Sequence, residues 1–341
     1  MIGAAFMRPR VVLTHWVHPE VLELLGGECE VIAQLDRDVL PAEEVRRRCR
    51  DSQAVIMCMA DSLDESFLET CPKLVIVAAA LKGFDNFDVA ACTRRGVWFA
   101  NVPDLLTIPT AELAVALLLG LGRNVLPGDR SVRSGKFAGW RPTLYGAGLS
   151  GRMVGLIGMG ALGRAVASRL IAFEVTLLYT DPVPLPPDDP LRGQVSRVEL
   201  ADLLSRSDYI VLLAPLTADT HHLIDRRRLL LCKPTARLIN VGRGSVVDEE
   251  AVVEALACGR LAGYAADVFA VEDWALPGRP SRIPPGLLEN AERTLFTPHL
   301  GSAVDEVRRQ ISLAAARSVL QALRGDVPEN AVNGPTLSGG S

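Results

Sequence analysis

No apolar run in this chain is long enough to span a bilayer, which takes roughly 18–20 residues. The longest, LAVALLLGL at 113–121, is expected to be a buried helix. Charge of one sign never accumulates either. The 36 Lys and Arg face 40 Asp and Glu, a formal net of −4, and the two signs are interspersed. With neither a basic block nor an acidic tail, no nucleic-acid partner and no membrane are expected. The short basic runs at 46–48 and 226–228 read as solvated faces of a helix or turn. CxxC is absent and the cysteine count is odd, so the seven cysteines read as reduced thiols of a cytoplasmic protein. His15 and His18 are three apart and His221 and His222 adjacent, none with a Cys or acidic partner at ligand spacing. No metal is expected. The N-terminus, MIGAAFMRPR, has its charges after a short apolar stretch, the reverse of a secretory signal, and reads as a loose extension before a strand at Val11. The Gly/Ser-rich end, 334–341, is expected to be mobile.

What is present is length and alternation. At 341 residues and 49% hydrophobic, the chain can build two cores. Strand candidates RVVLT (10–14), AVIMCM (54–59) and LVIVAAA (74–80) alternate with helix candidates PEVLELL (19–25), 41–49 and 64–70. That is a small doubly wound α/β domain. A long apolar helix is expected over 110–123, after Pro109 and with Thr110 as its N-cap. The glycine- and aromatic-rich stretch 135–148 reads as an ordered loop. Further strands are expected at 153–157, 175–179, 209–214, 238–241, 263–268 and 295–297, with helices at 200–205, 249–258 and 303–324.

MVGLIGMGALG (153–163) is the most informative stretch. An apolar strand runs into Gly158-Met-Gly160-Ala-Leu-Gly163 and then into a helix. In a dinucleotide site Gly158 makes the tight turn, Gly160 lets the backbone approach a pyrophosphate, and Gly163 lets helix and strand pack closely. Helix N-terminal N–H groups favour the anion. Asp181 follows the next strand, 18 residues past Gly163, where a carboxylate meets the adenosine ribose hydroxyls. It favours NAD⁺ over a 2′-phosphorylated cofactor, and Pro182 offers no cation for that phosphate.

Parallel sheets bind ligands beyond the carboxyl ends of their strands. Arg243, Asp267 and His299 stand at such ends, Glu272 on the loop after Asp267, and Lys82 past the strand at 74–80. Flanking glycines pin Arg243 close to something, and its rigid fork suits an anion.

GMGALG with Asp181, APLTADTHHLI (214–224), NVGRGSVVDEEAVVEAL (240–256) and TPHLGSA (297–303) resemble the NAD-dependent D-2-hydroxyacid dehydrogenase family across nearly the whole chain. The resemblance implies an α/β fold of two Rossmann-like doubly wound parallel-sheet domains with an interdomain cleft. It implies a discontinuous substrate domain, 1–106 with 301–341, around an NAD-binding domain, 107–300. It also implies a homodimer and an Arg/Glu/His trio, which falls on Arg243, Glu272 and His299. The implied cofactor set is Gly158, Gly160, Ala161, Leu162, Gly163, Asp181, Pro182, Pro215, Val241, Gly242, Asp267, Thr110 and Lys82.

A narrower resemblance, to the phosphonate (phosphite) dehydrogenases of that family, rests on THWVHPEVLELL, ALKGFDNFDV, VPDLLTIPTAELA, GWRPTLYG and DVFAVEDWA. Other members usually carry a small residue at the position of Lys82, and a proline after the glutamate where this chain has Asp273-Trp274. This resemblance implies phosphite as substrate and adds Met59, Leu106, Trp140, Tyr145 and Ser302 to Lys82 and Arg243 around it. Phosphite is a small, highly charged oxyanion with no apolar handle, so two cations suit it. His299 is the expected base toward water and Glu272 its orienting partner, the alternative being that Arg243 acts as base and His299 orients the substrate. The alternatives are a carbon substrate such as glyoxylate, hydroxypyruvate or a phosphoglycerate, and a non-catalytic NAD(H)-sensing scaffold.

Overall fold

The computed structural model describes residues 8–335. Most of the expected N-terminal extension and most of the Gly/Ser-rich end therefore lie outside the described residues. Two compact units emerge: one from 8–106, 274–277 and 304–335, the other from 107–273 and 278–303.

The first unit holds five strands: β1 (Arg10–Leu13), β2 (Glu30–Ile32), β3 (Ala54–Met57), β4 (Ile76–Ala79) and β5 (Trp98–Ala100). They lie in the order β2-β1-β3-β4-β5, all parallel. Every residue of β3 and β4 is buried, as a strand covered on both faces requires. Short helices fill the crossovers. Asp64 starts one by accepting from Phe67 N at 2.8 Å, and Asp88 another by accepting from Ala91 N at 2.8 Å. The C-terminal helix Asp305–Leu323 joins this unit, packing Ile311, Ala315 and Val319 into a core with Val11, Ile56 and Ile76.

The second unit holds seven strands: β6 (Met153–Ile157), β7 (Thr176–Thr180), β8 (Val195–Arg197), β9 (Tyr209–Leu212), β10 (Arg237–Asn240), β11 (Gly263–Ala266) and β12 (Thr294–Phe296). Their order is β12-β11-β10-β9-β6-β7-β8, again all parallel. Strand order reverses between β6 and β9, so the glycine turn after β6 sits at the topological switch point, where such sheets bind ligands. The helix Thr107–Gly122 buries Ala114, Leu117 and Leu118 against β6, β9 and β10. Among the described residues no single helix is long and apolar enough to cross a membrane. This helix and the next pass that test together, across a 64° bend, by length and composition only.

Several boundaries differ from the sequence reading. The long helix starts at Thr107, not Thr110, because Pro109 falls in its first turn, where a missing N–H costs nothing. A helix over Val125–Arg133 was not anticipated. It buries no residue, so it carries no core stripe to read. Asn124 makes the bend into it at a left-handed φ of 53°. The basic run at 226–228 is a helix face, Arg226–Leu229, capped by Asp225.

Ile56 is fully buried in the middle of the first unit. Ile56→Ala is expected to cost about 3 kcal/mol, most of it from the cavity left behind. A urea melt followed by far-UV dichroism would show the midpoint falling.

Candidate active site

Each glycine after β6 has its own reason. Gly158 takes a φ of +103°, which a side chain rarely adopts. A Cβ on Gly163 would strike the Gly158 carbonyl oxygen, so this pair sets how closely helix Ala161–Leu170 approaches the strand. Gly160 has open space before it, with nothing within 4 Å of a Cβ. Ala161 and Leu162 begin the helix, and their backbone N–H groups belong to its unsatisfied first turn. Asp181 lies just past β7, its carboxylate accepting from Met159 N at 2.7 Å and Val183 N at 2.8 Å. It thus ties its own loop to the glycine turn. Arg197 donates to the carbonyls of Asp181 at 2.9 Å and Pro182 at 3.2 Å. An open glycine turn at a switch point, with a carboxylate beyond the neighbouring strand, fits a dinucleotide.

The loops after β9 and β10 extend this edge. Pro215 follows β9, its carbonyl accepting from Thr220 Oγ1. Val241 is buried at the end of β10, and Gly242 lies where a Cβ would come 2.6 Å from the Ala214 oxygen. Asn240 was not singled out from sequence, yet its side chain brackets the turn. It donates to the Arg243 carbonyl at 2.9 Å and accepts from Gly242 N at 3.1 Å. Arg243 is half-buried, one guanidinium nitrogen donating to the Gly242 carbonyl at 3.0 Å.

Arg243, Glu272 and His299 follow β10, β11 and β12, three adjacent strands. Glu272 and His299 meet directly: Oε2 and Nδ1 are 2.7 Å apart, and both side chains are half-buried. With Nδ1 engaged by a carboxylate, Nε2 is the nitrogen left to exchange a proton. His299 holds a left-handed φ of +55°, uncommon outside glycine and a form of strain that clusters at active sites. Its own N–H, donating to the Asp267 carbonyl at 2.8 Å, helps keep it there. Asp267 also serves that loop with its buried carboxylate. It accepts from Thr297 Oγ1 and Leu300 N at 2.6 Å and from Gly301 N at 2.8 Å. Burial pushes its carboxyl above the usual range, and those bonds pull it back. Thr110 packs against the same loop, 3.1 Å from where a Cβ on Gly301 would stand, and half-buried Ser302 is the next residue.

In the first unit, Met59 and Lys82 stand just past the carboxyl ends of β3 and β4. The Lys82 carbonyl accepts from Asn101 Nδ2 at 2.9 Å, and Leu106 packs at the edge of that unit's core. Two expected substrate residues are exposed in their own unit. Trp140 is 76% exposed. Tyr145, equally exposed, lines a cavity with Arg152, Asp208, Tyr209 and Arg237, at the amino ends of β6, β9 and β10. In its own unit that is the end of the sheet away from Arg243 and His299.

Residues 115–301 match the family model described as D-isomer specific 2-hydroxyacid dehydrogenase, NAD binding domain. The chain is 36% identical to a glyoxylate reductase of Pyrococcus horikoshii over 342 aligned residues, covering 96% of both. The chain belongs to the D-2-hydroxyacid dehydrogenase family. Among solved structures, this dehydrogenase matches the TT0316 protein from Thermus thermophilus with a TM-score of 0.84 and 34% identity, over 95% of this chain and all of that one. It also matches an NADPH-dependent glyoxylate/hydroxypyruvate reductase from Sinorhizobium meliloti in complex with NADP and malonate. There the TM-score is 0.80 and the identity 30%, over 95% and 97% of the two chains. The second unit is therefore an NAD-binding domain, and the dehydrogenase fold explains both parallel sheets.

The place of Asp181 just past β7, with Arg197 on its carbonyl, makes cofactor preference the test of this edge. Removing the carboxylate and adding a cation, in Asp181→Ala with Pro182→Arg, leaves two guanidinium groups for a 2′-phosphate. The ratio of kcat/KM for NADP⁺ to that for NAD⁺ is expected to rise by at least about tenfold, or ~1.4 kcal/mol. An unchanged ratio would remove Asp181 from the cofactor site.

Proposed function

We propose that this enzyme transfers hydride between NAD and a small anion, and that the anion is phosphite. The observation that carries hydride transfer is the His299–Glu272 pair at 2.7 Å, one strand from Arg243 and on the edge that holds the glycine turn. Bound NAD⁺ supplies the hydride acceptor. Arg243 grips two substrate oxygens as a rigid fork. His299 Nε2 takes the proton of the attacking water, and Glu272 holds the ring and offsets the positive charge it gains. With phosphite, the P–H bond breaks and its electron pair leaves as hydride. A P–O bond forms to the water oxygen, and one proton passes to His299. The sum is phosphite, NAD⁺ and water giving phosphate, NADH and a proton.

Lys82 and the Glu272-Asp273-Trp274 sequence support phosphite over a carbon acid. A dianion without a carbon skeleton gains most from a second cation, the role this reading assigns to Lys82. Asp273 is built into the framework: it is 3% exposed and accepts from Ser245 N at 2.7 Å, tying the Glu272 loop to the Arg243 loop. The competing reading is glyoxylate reduction. The names of the Pyrococcus horikoshii glyoxylate reductase and the Sinorhizobium meliloti glyoxylate/hydroxypyruvate reductase support it, and the same three residues would serve it with His299 as proton donor.

We also propose a homodimer. The stretch from Val125 to Tyr145 exposes Val132 at 55%, Phe137 at 58% and both Trp140 and Tyr145 at 76%, an apolar surface suited to a second copy. Any part Trp140 and Tyr145 play at a substrate site would then be played across that interface. Light scattering should return twice the chain mass of 36.7 kDa, and the monomer mass would overturn the assignment.

NADH formation from phosphite and NAD⁺ at neutral pH, beside NADH oxidation with glyoxylate, separates the two substrates. Phosphite turnover with a higher kcat/KM than glyoxylate is expected. The reverse order would make the enzyme a glyoxylate reductase. Lys82→Ala should lower kcat/KM for phosphite by about 100-fold or more, the scale of a lost charge-assisted contact. Full activity in that variant would end the two-cation idea.

A further inference from the structure

A further carboxyl group lies behind the His299–Glu272 pair, and hydride transfer itself does not use it. Glu249 opens the helix Glu249–Ala257 and is 5% exposed. Its Oε1 accepts from Ala270 N at 2.9 Å, and its Oε2 is buried without a hydrogen-bond partner among the described residues. Ala270 begins the tight turn Ala270–Glu272. Other contacts hold the same turn. Phe269 N donates to Glu272 Oε1 at 2.8 Å, Ser245 N donates to Asp273 Oδ2 at 2.7 Å, and a Cβ on Gly244 would land on the Phe269–Ala270 peptide.

We propose that Glu249 is a positioning residue: by accepting from Ala270 N it fixes the turn that presents Glu272 to His299. The inference rests on the reading of that pair given above. A buried carboxyl with one oxygen unsatisfied costs stability, and an apolar residue of similar size would cost less. Its placement is explained by what it holds. One backbone bond anchors the first residue of the turn, and the turn's third residue is Glu272. Loss of the anchor lets the carboxylate drift from the imidazole, and misplacement by about 1 Å costs roughly 100-fold in rate.

The charges facing Glu249 give the device a pH dependence. Glu250 lies on its own helix, Glu272 and Asp273 on the turn, and the buried Tyr264 hydroxyl on β11. Burial pushes the Glu249 carboxyl up to about 7, the Ala270 bond opposes that rise, and the charges of Asp273, Glu272 and Glu250 add to it. The folded protein holds this proton up to about pH 7, whereas the unfolded chain releases it near 4.5. The group therefore erodes folded-state stability as pH climbs through that window, and Glu249→Gln removes the erosion.

The test compares Glu249→Ala, Glu249→Gln, Glu272→Gln and His299→Ala with the wild type, using whichever of phosphite or glyoxylate the wild type turns over. Glu249→Ala is expected to lose about 10–100-fold in kcat with the KM for NAD within about threefold. Glu249→Gln keeps an acceptor, so its kcat should stay within about threefold, while its urea midpoint should fall less than the wild type's as pH rises from about 4.5 to about 7. The His299 ring-proton signals, read by NMR without substrate, should move the same way in Glu249→Ala and Glu272→Gln and stay in place in Glu249→Gln. Wild-type kcat and unmoved His299 signals in Glu249→Ala would overturn the proposal. Should Glu249→Ala fail to fold, wild-type kcat and unmoved His299 signals in Glu249→Leu, which fills the space without an acceptor for Ala270 N, would do so. If Glu272→Gln and His299→Ala are themselves fully active, the reading of the site fails first. If they are crippled while Glu249→Ala is not, only the role of Glu249 fails.

Discussion

Strands that all run the same way bring all their carboxyl ends to one edge of the sheet. The rest of the second unit depends on that constraint. With β12, β11, β10, β9 and β6 in sequence across the sheet and parallel, residues more than 140 positions apart in the chain emerge on one edge. The glycine turn after β6, the arginine after β10, the glutamate after β11 and the histidine after β12 share that edge. Nothing local in the chain brings them together. The sheet is in turn held by apolar strands buried on both faces, which makes its register expensive to change.

Along that edge, carboxylates serve as fasteners for backbone N–H groups. Asp181 holds the glycine turn, Asp267 the histidine loop, Asp273 the arginine loop, and Glu249 the turn that carries Glu272. Hydrogen bonds to charged groups contribute roughly 1.5–3 kcal/mol each, enough to offset part of the burial they require. Loops fixed in this way hold catalytic side chains more firmly than their own packing would. The left-handed backbone at His299 survives because Asp267 grips the loop on both sides of it, through its carbonyl to the His299 N–H and its carboxylate to Thr297, Leu300 and Gly301.

Much of the fold was legible in the sequence because parallel strands are short, apolar and regularly spaced. The glycine turn and the placing of Arg243 and His299 after strands could be read from local pattern. Helix Val125–Arg133 could not, since a helix that buries nothing leaves no periodic trace. Thr107 was missed as a helix start because proline reads as a boundary even where it sits comfortably in a first turn. Trp140 and Tyr145 stand exposed in their own unit, which their motif could not report.

The sequence by itself determined the class of chemistry. Glycine spacing at a strand-to-helix turn specifies a dinucleotide site, and the family motifs around Arg243, Glu272 and His299 add hydride transfer, because each signal is local. Tertiary structure alone decided which carboxylate meets the histidine and which hold backbone. Glu272 touches His299, whereas Asp267, Asp273 and Glu249 spend their oxygens on backbone N–H groups. In one dimension all four are acidic residues in or near loops after strands. They part only when the sheet has aligned those strands and burial has made each unsatisfied N–H costly.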